Sequence, residues 1–429
     1  MSRVAVIGTG YVGLTTGACL AHLGHEVVCA DIDPDKVERL SAGRIPIFEA
    51  GLEDLVGEGI GARRLSFVLG ATTAVRDAEF VFLCVQTPQG ADGAADLSFV
   101  EQASGEIGPV LATGSVVITK STVPVGSARI VEQALGRSDV SVVSNPEFLR
   151  EGQAVHDCLH PDRIVIGSHD QAAAIRVAGL YERMQAPLIV TDPASAETIK
   201  YACNAFLATK VSFINAVANL CQAVGADVRD VVLGMGYDKR IGFEFLKPGP
   251  GWGGSCFPKD SRALVRIAED HGYNFDLLKG VIAVNEEQFD QVVARIRRVA
   301  GRELEGATVA VWGLTFKAGT DDMRDSPAIA VIRRLAERGA RIQAYDPTVE
   351  GPLPPHYAHP SVEVCADPYA ACAGAQVLAV LTEWDEFRWL DFAKVAEQLE
   401  RPAIVDGRNL LDPASLRRRG FVYEGMGRS

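Results

Sequence analysis

The stretch RVAVIGTGYVG at residues 3–13 leaves the chain few ways to fold. An apolar run from Arg3 to Ile7 enters Gly8, Gly10 and Gly13 without a break. That order reads as a strand, a tight turn and a helix, the glycines letting backbone approach a pyrophosphate at the helix N-terminus. A second strand, within HEVVCADID, ends at Asp31, well placed to accept hydrogen bonds from an adenosine ribose. The acid favours NAD over NADP, because a 2′-phosphate would meet its charge. Val4 to Gly24 contains no Asp, Glu, Lys or Arg, which by hydropathy alone resembles a membrane span or secretory leader; its Gly, Thr and His content fits the turn and helix better.

Later segments extend the pattern. EFVFLCVQTP (79–88), SVVITKSTVP (115–124) and VSVVSNPEF (140–148) read as strands that stop at polar residues or proline. Ligands of open parallel sheets bind beyond the carboxyl ends of the strands, so Thr87, Thr122 and Glu147 fall on the cofactor side. Asp192 and Pro193 start a helix with no internal breaker before Gly225, long enough to join domains or to pair with another subunit. From residue 307 the first pattern returns in weaker form: ATVAVWGLTFKAGTDD, then ARIQAYDP with Asp346, GAQVLAVLTEW and PAIVDGRN. This second half lacks a GxGxxG and should hold a differently placed phosphate or none. The expected architecture is α/β, with two doubly wound Rossmann-like domains joined by a long central helix and a helical middle domain. The boundaries read as 1–192 for the NAD-binding domain, 193–300 for a central helical dimerisation domain and 301–429 for the second Rossmann-like domain.

A chain of 429 residues with 48% hydrophobic content suits two or three domains with ample cores. Its net charge of -13 argues against nucleic acid or anionic membrane as a partner, while leaving room for a local basic pocket. Nine cysteines are scattered singly, with no CxxC pair, which points to a reducing, cytoplasmic setting without structural zinc or another bound metal. One of them stands apart. In GPGWGGSCFPKD (249–260), Cys256 follows a glycine-rich turn and precedes Pro258, Lys259 and Asp260.

A thiol in such a setting suits a particular reaction. A nicotinamide takes hydride from an alcohol carbon, but the aldehyde formed must become a tetrahedral adduct before a second hydride can leave, and a thiolate supplies that adduct. The states would be alcohol, aldehyde, thiohemiacetal, thioester and free acid, the last step needing water and a base. Lys200 and Asn204, four apart on the long helix, project from one face and suit the stabilisation of oxygen charge; a lysine amid apolar turns also commonly snorkels to solvent. Glu147 and Glu151 are four apart as well, at a strand end where a water-activating base is useful, although paired surface acids are often only solvated.

The blocks GTGYVG, STVPVG, NPEFLREG, IKYACNAFLATK, KRIGFEFL, GGSCFPKD, GLTFKAGTDDMRDSP and DGRN, in this order from residue 3 to about 410, resemble the UDP-glucose/GDP-mannose dehydrogenase family, and within it the UDP-glucose 6-dehydrogenases. The resemblance implies NAD-dependent, four-electron oxidation of UDP-glucose to UDP-glucuronate in the cytoplasm. Cys256 then matches the nucleophile. Lys200 and Asn204 match stabilisers of oxygen charge, Asp260 a proton or water handler, and Thr122 with Glu147 the pair that positions and activates water. The same matching puts Gly8, Gly10, Tyr11, Val12, Gly13, Asp31, Lys36, Thr87, Thr122, Glu151, Lys259 and Arg324 on NAD. It puts Glu147, Phe148, Leu149, Glu151, Lys200, Asn204, Lys247, Gly253, Cys256, Lys317 and Arg408 on the nucleotide sugar, making 301–429 the UDP-sugar domain. Arg240 matches an arginine that reaches substrate from the other subunit of a homodimer. Trp252 departs from a commoner Phe. Three other readings stay open: a GDP-mannose or UDP-N-acetylhexosamine dehydrogenase using the same covalent route, a two-electron dehydrogenase releasing aldehyde or ketone, and a non-catalytic nucleotide-sugar sensor.

Overall fold

A computed structural model describes residues 1–90 and 94–428. The chain divides into two compact units, one made of Met1–Cys203 with Arg262–Gly272, the other of Asn204–Ser261 with the chain from Tyr273 onward.

The first unit holds an eight-stranded sheet. Its strands are β1 (Arg3–Ile7), β2 (Glu26–Asp31), β3 (Leu65–Leu69), β4 (Phe80–Leu83), β5 (Val116–Thr119), β6 (Ser141–Ser144), β7 (Ile164–Gly167) and β8 (Leu188–Thr191), in the order β3-β2-β1-β4-β5-β6-β7-β8. Strands β1 to β6 pair in parallel, whereas β7 lies antiparallel to β6 and carries β8 parallel to itself. The reversal needs no crossover helix, since antiparallel neighbours can be joined by a short return; the only helix between β6 and β7 is Ala154–Leu159. Alternation along β1 feeds both faces of the sheet: Val4 and Val6 enter one core, Ala5 and Ile7 the other. The strands are shorter than the apolar segments that announce them, because the residues after each one turn into ligand-side loops.

The first turn is closed by sterics. Gly8 has φ +91, and a Cβ there would lie 2.7 Å from the carbonyl oxygen of Cys84. At Gly13 a Cβ would lie 1.9 Å from the carbonyl oxygen of Gly8, so the helix Tyr11–His22 can pack this tightly on β1 only with glycine.

The second unit repeats the theme with six strands, β9 (Thr308–Trp312), β10 (Arg341–Tyr345), β11 (Val362–Val364), β12 (Val377–Val380), β13 (Ala403–Asp406) and β14 (Val422–Gly425). They form a sheet in the order β11-β10-β9-β12-β13-β14, parallel throughout. This is the doubly wound order, with its switch point between β9 and β12. Its turn differs from that of the first unit. The helix after β9, Pro327–Glu337, begins only after a long loop, and the acid at the end of β10 is turned inward. Asp346 is 1% exposed and accepts bonds from the amides of Leu314 (2.7 Å) and Thr315 (3.1 Å) and from the Trp384 indole (3.1 Å). Asp346 thus holds the first residues of the loop after β9 by their amides.

Between the sheets in sequence lie the helices Pro193–Val224, Val228–Gly236, Phe257–Asp270 and Asp276–Ala300. Asp192 starts the first of them by accepting the amide of Ser195 at 2.9 Å. Among the described residues no helix is long and apolar enough to cross a membrane.

Gly13→Ala should destabilise the first unit by about 1–3 kcal/mol through overpacking against backbone. We expect a lower Tm and weakened NAD binding, checked by thermal unfolding and by fluorescence titration with NAD.

Candidate active site

In the first unit the residues assigned to the cofactor gather at the carboxyl ends of β1, β2 and β4. Gly10 precedes the helix Tyr11–His22 with no side-chain cap, and a Cβ built on it meets nothing within 4 Å. The first amides of a helix have no carbonyl partner within it, and with no side chain capping them here the terminus has the arrangement that holds a phosphate. Asp31 closes β2. Its carboxylate takes the amide of Thr9 (3.0 Å) and the ammonium of Lys36 (2.8 Å). Burial would raise this carboxyl, but the hydrogen bonds from Lys36 and Thr9 outweigh it and hold the pKa at about 2. Asp31 is thus an ionised acceptor, suited to a ribose diol. Residues and space here fit NAD. Thr87 donates to the carbonyl of Thr122 at 2.9 Å, which brings together the loops after β4 and β5. Val12 is half-buried behind the turn.

The side chain of Tyr11 also has a structural task. Its hydroxyl bonds the carboxylate of Glu49 and accepts the amide of Gly152 at 2.8 Å. Burial, followed by the Glu49 carboxylate, pushes the phenol well above its ordinary range. Glu49 also takes the amides of Gly152 and Ala154, both at 2.7 Å, and so fixes the loop that carries Glu147 to Glu151.

Glu147 is 6% and Lys200 3% exposed, and their charged ends meet at 2.8 Å. Burial would raise the Glu147 carboxyl; Lys200, the amide of Leu149 at 2.6 Å and Lys120 together overcome it and hold the carboxyl below its usual value. Glu147 is therefore ionised at neutral pH. Phe148 lies between two cations, with the Arg163 guanidinium 3.6 Å and the Lys200 ammonium 5.6 Å from its ring centroid. Leu149 and Glu151 are half-buried beside it. One turn before Lys200, the buried Glu197 accepts the amides of Gly126 (2.6 Å) and Ala128 (3.1 Å) and ties down the loop that carries Thr122.

The second unit holds the thiol. Cys256 immediately precedes the helix Phe257–Asp270, and its carbonyl accepts the amide of Asp260 at 2.9 Å. That is an N-cap position, where the positive end of the helix dipole favours a thiolate. Its Sγ lies 3.5 Å from the Ser255 hydroxyl. Among the nine free cysteines, Cys19, Cys29, Cys84, Cys221 and Cys372 are buried, the inert packing expected of most thiols. Asp260, 1% exposed, accepts the Asn204 amide at 2.6 Å and pairs with the Lys259 ammonium at 2.9 Å. Lys200 and Asn204, expected to serve one ligand from one helix face, thus contact different carboxylates, Glu147 and Asp260.

The loop before Cys256 is fixed by buried polar side chains. Asn215 takes the amide of Gly249 at 2.8 Å, and Gln288 donates to its carbonyl at 2.8 Å. Asn285 bonds both the amide (2.8 Å) and the carbonyl (3.0 Å) of Trp252. The Trp252 indole reaches Ser212 at 2.8 Å, so the larger ring is accommodated with its N–H satisfied. Gly253 passes so close to Asp325 that a Cβ would lie 1.9 Å from that carbonyl, and the amide of Gly254 donates to Arg324 at 3.1 Å. Arg408 approaches the same loop, and its guanidinium donates to the carbonyls of Leu381 and Phe316, both at 2.8 Å. The Lys317 ammonium stands 5.5 Å from the Phe316 ring centroid. Lys247 is exposed, Arg324 is paired with Asp322, and Arg240 is at the surface, its side chain 88% exposed and forked onto Asp238.

Glu49, Glu197, Ser212, Asn215, Asn285 and Gln288 escape a reading of the sequence for chemistry. The signal available for the last four is a polar residue recurring on the buried face of an otherwise apolar helix. Among the described residues no group of three or more His, Cys, Asp or Glu could hold a metal ion.

An uncapped glycine turn, an ionised ribose-side acid and a doubly wound sheet define an NAD-dependent oxidoreductase of the Rossmann class. The chain belongs to the UDP-glucose/GDP-mannose dehydrogenase family: the family's NAD binding domain matches residues 2–185, its central domain 194–287 and its UDP binding domain 310–413. It is 45% identical to the UDP-glucose 6-dehydrogenase TuaD of Bacillus subtilis, a match covering 100% of this chain and 94% of that protein. With the UDP-glucose 6-dehydrogenase of Rhizobium meliloti it shares 46% identity over 99% of both chains. The solved UDP-glucose dehydrogenase of Pyrobaculum islandicum superposes with a TM-score of 0.89 at 38% identity, covering 100% of this chain and 98% of that one.

Asn285→Leu would leave the buried amide and carbonyl of Trp252 without partners, at about 1–3 kcal/mol each. We expect activity to fall at least tenfold while NAD titrates the variant normally, a split that kinetics and cofactor binding together would reveal.

Proposed function

We propose that this protein oxidises UDP-glucose to UDP-glucuronate, with Cys256 carrying the sugar between two oxidations. The observation that carries the reading is Cys256 at a helix N-terminus, one turn before a buried Asp260 held by Asn204 and Lys259. NAD supplies the hydride acceptor for each oxidation. The balance is a CH2OH group, two NAD and one water giving a carboxylate, two NADH and three protons.

The protein groups divide the work. Cys256 thiolate adds to the aldehyde carbon, and loss of the second hydride leaves a thioester. Lys200 and Asn204 are donors suited to an oxygen that gains negative charge in each tetrahedral state. Glu147, ionised and fixed by Lys200 and Leu149, takes a proton from the attacking water, which Thr122 orients. Asp260 accepts or returns protons beside the thiol. The Lys317 and Arg408 cations, with Gly253 and the loop from Lys247, suit a nucleotide diphosphate. Thioester hydrolysis breaks the C–S bond, returns the thiol and releases the acid.

With UDP-glucose in limiting amount, we expect two NADH per substrate for the native enzyme. Cys256→Ser should form little or no acid. One NADH per substrate, or a Cys256→Ser enzyme near full rate, would overturn the reading. Faster turnover of GDP-mannose or a UDP-N-acetylhexosamine would instead move the substrate and leave the chemistry in place.

A homodimer is part of the proposal. Phe206, Phe213 and Leu220 recur every seven residues on the long helix and are 65%, 55% and 60% exposed, with Val224 at 68% below them. Tyr237, Ile241 and Phe243, which flank Arg240, are also exposed. A stripe of large apolar side chains at this spacing suits a second copy of the same helix, and burying it would place Arg240 within a subunit interface. Phe206→Glu with Phe213→Glu should yield a monomer by light scattering and cut activity by tenfold or more.

A further inference from the structure

The loop that carries Glu147 hangs on a residue to which the chemistry above gives no role. Asn145, 1% exposed, begins the Asn-Pro-Glu turn directly after β6. Its carbonyl oxygen accepts two donors, the Lys120 ammonium at 3.1 Å and the Tyr181 hydroxyl at 2.6 Å. Its side-chain amide donates to the carbonyl of Val165 on β7 at 2.8 Å, and its backbone amide to Thr119 at the end of β5 at 2.9 Å. One residue thus bonds both neighbouring strands, β7 through its side chain and β5 through its backbone, and two further side chains. Nothing in sheet pairing demands so many contacts at one asparagine.

Lys120 is the unusual partner. It follows β5 and lies two residues before Thr122, its ammonium 5.9 Å from the Tyr181 ring centroid. Lys120 is half-buried, and an ammonium withdrawn from water normally sits against a carboxylate, because an unpaired charge is costly to desolvate. Here the direct acceptor is a neutral amide. The groups that act on Lys120 across space are Cys158, Cys84 and Glu147, which favour its charge, and Lys200, which opposes it; burial, the largest influence, lowers its pKa. The groups that act on Glu147 are Lys200 first, then the amide of Leu149 and Lys120. One buried carboxylate therefore answers to two ammonium groups, Lys200 by contact and Lys120 across a longer distance.

We propose that Lys120 is a positioning residue for the acid-forming half of the reaction: with Tyr181 it fixes Asn145 and hence the Glu147 carboxylate that serves as the base for water. This deepens the assignment of Glu147 made above and rests on it. Removing the Lys120 charge makes Glu147 easier to protonate, so its ionised form is lost at higher pH. The hydride steps, which do not use this base, should change less.

The test uses the full enzyme in excess over UDP-glucose with saturating NAD, following NADH and UDP-glucuronate separately by rapid quench from about pH 4 to pH 9. Lys120→Met should slow acid release by roughly tenfold or more at the acid end, move the acid limb of that step to higher pH and leave the first NADH phase within about threefold. Lys120→Arg should restore the position of the limb. Tyr181→Phe, which removes a donor but no charge, should slow acid release severalfold with the limb unmoved, and it carries the test of positioning should Lys120→Met not fold. An acid limb identical in Lys120→Met and the native enzyme would overturn the charge role, and full-rate acid release in Tyr181→Phe would overturn the positioning role. If Glu147→Gln itself releases acid at the native rate, the base assignment is what has failed.

Discussion

A buried irregular loop must find partners for every amide and carbonyl that it cannot pair with itself. The segment before Cys256 is such a loop, with Gly249, Trp252, Gly253 and Gly254 all buried. The helices Pro193–Val224 and Asp276–Ala300 meet the demand with Asn215, Asn285 and Gln288, side chains that would be poor choices for a helix core on any other ground. A one-sided removal of such a bond costs more than the bond contributes, since the stranded group stays dry. The thiol is thus aimed by groups in distant parts of the chain, and the glycines admit neighbouring backbone to distances that no Cβ would allow.

Electrostatics follow the same logic in the first unit. Taking both Glu147 and Lys200 out of water costs several kcal/mol per ion, and the attraction between them repays that only in part. The pair is a weak source of stability, and deleting one partner would strand a charge at about 3–5 kcal/mol. What it offers is a carboxylate kept ionised where burial would protonate it. Glu49 and Glu197 work as mechanical fasteners instead, holding two ligand-side loops by their amides.

Much of this was legible along the chain. GTGYVG and Asp31 announce a dinucleotide turn through local spacing, and Pro193 with the long unbroken helix does the same for the central element. Cys256 could be told from the other thiols by its flanks. What the chain did not announce was who holds whom. Glu49 reaches the amides of Gly152 and Ala154 across about a hundred residues, and Asn285 reaches Trp252 from another helix. Such partners are defined by tertiary approach, and no periodicity records it. The reversed β7 was equally silent, because direction within a sheet is set by the connection and not by the strand.

The division of NAD and UDP between two separate domains has a consequence for timing. The family's NAD binding domain matches at residues 2–185 and its UDP binding domain at 310–413, so on the proposed mechanism a double oxidation uses one coenzyme site twice. The first reduced nicotinamide has to leave and a fresh one arrive while a reactive aldehyde waits. In the proposed scheme, a sulfur that holds the half-finished sugar would give it a mooring during that exchange, which makes the division of the two nucleotide sites between the halves and the placement of one thiol parts of the same solution.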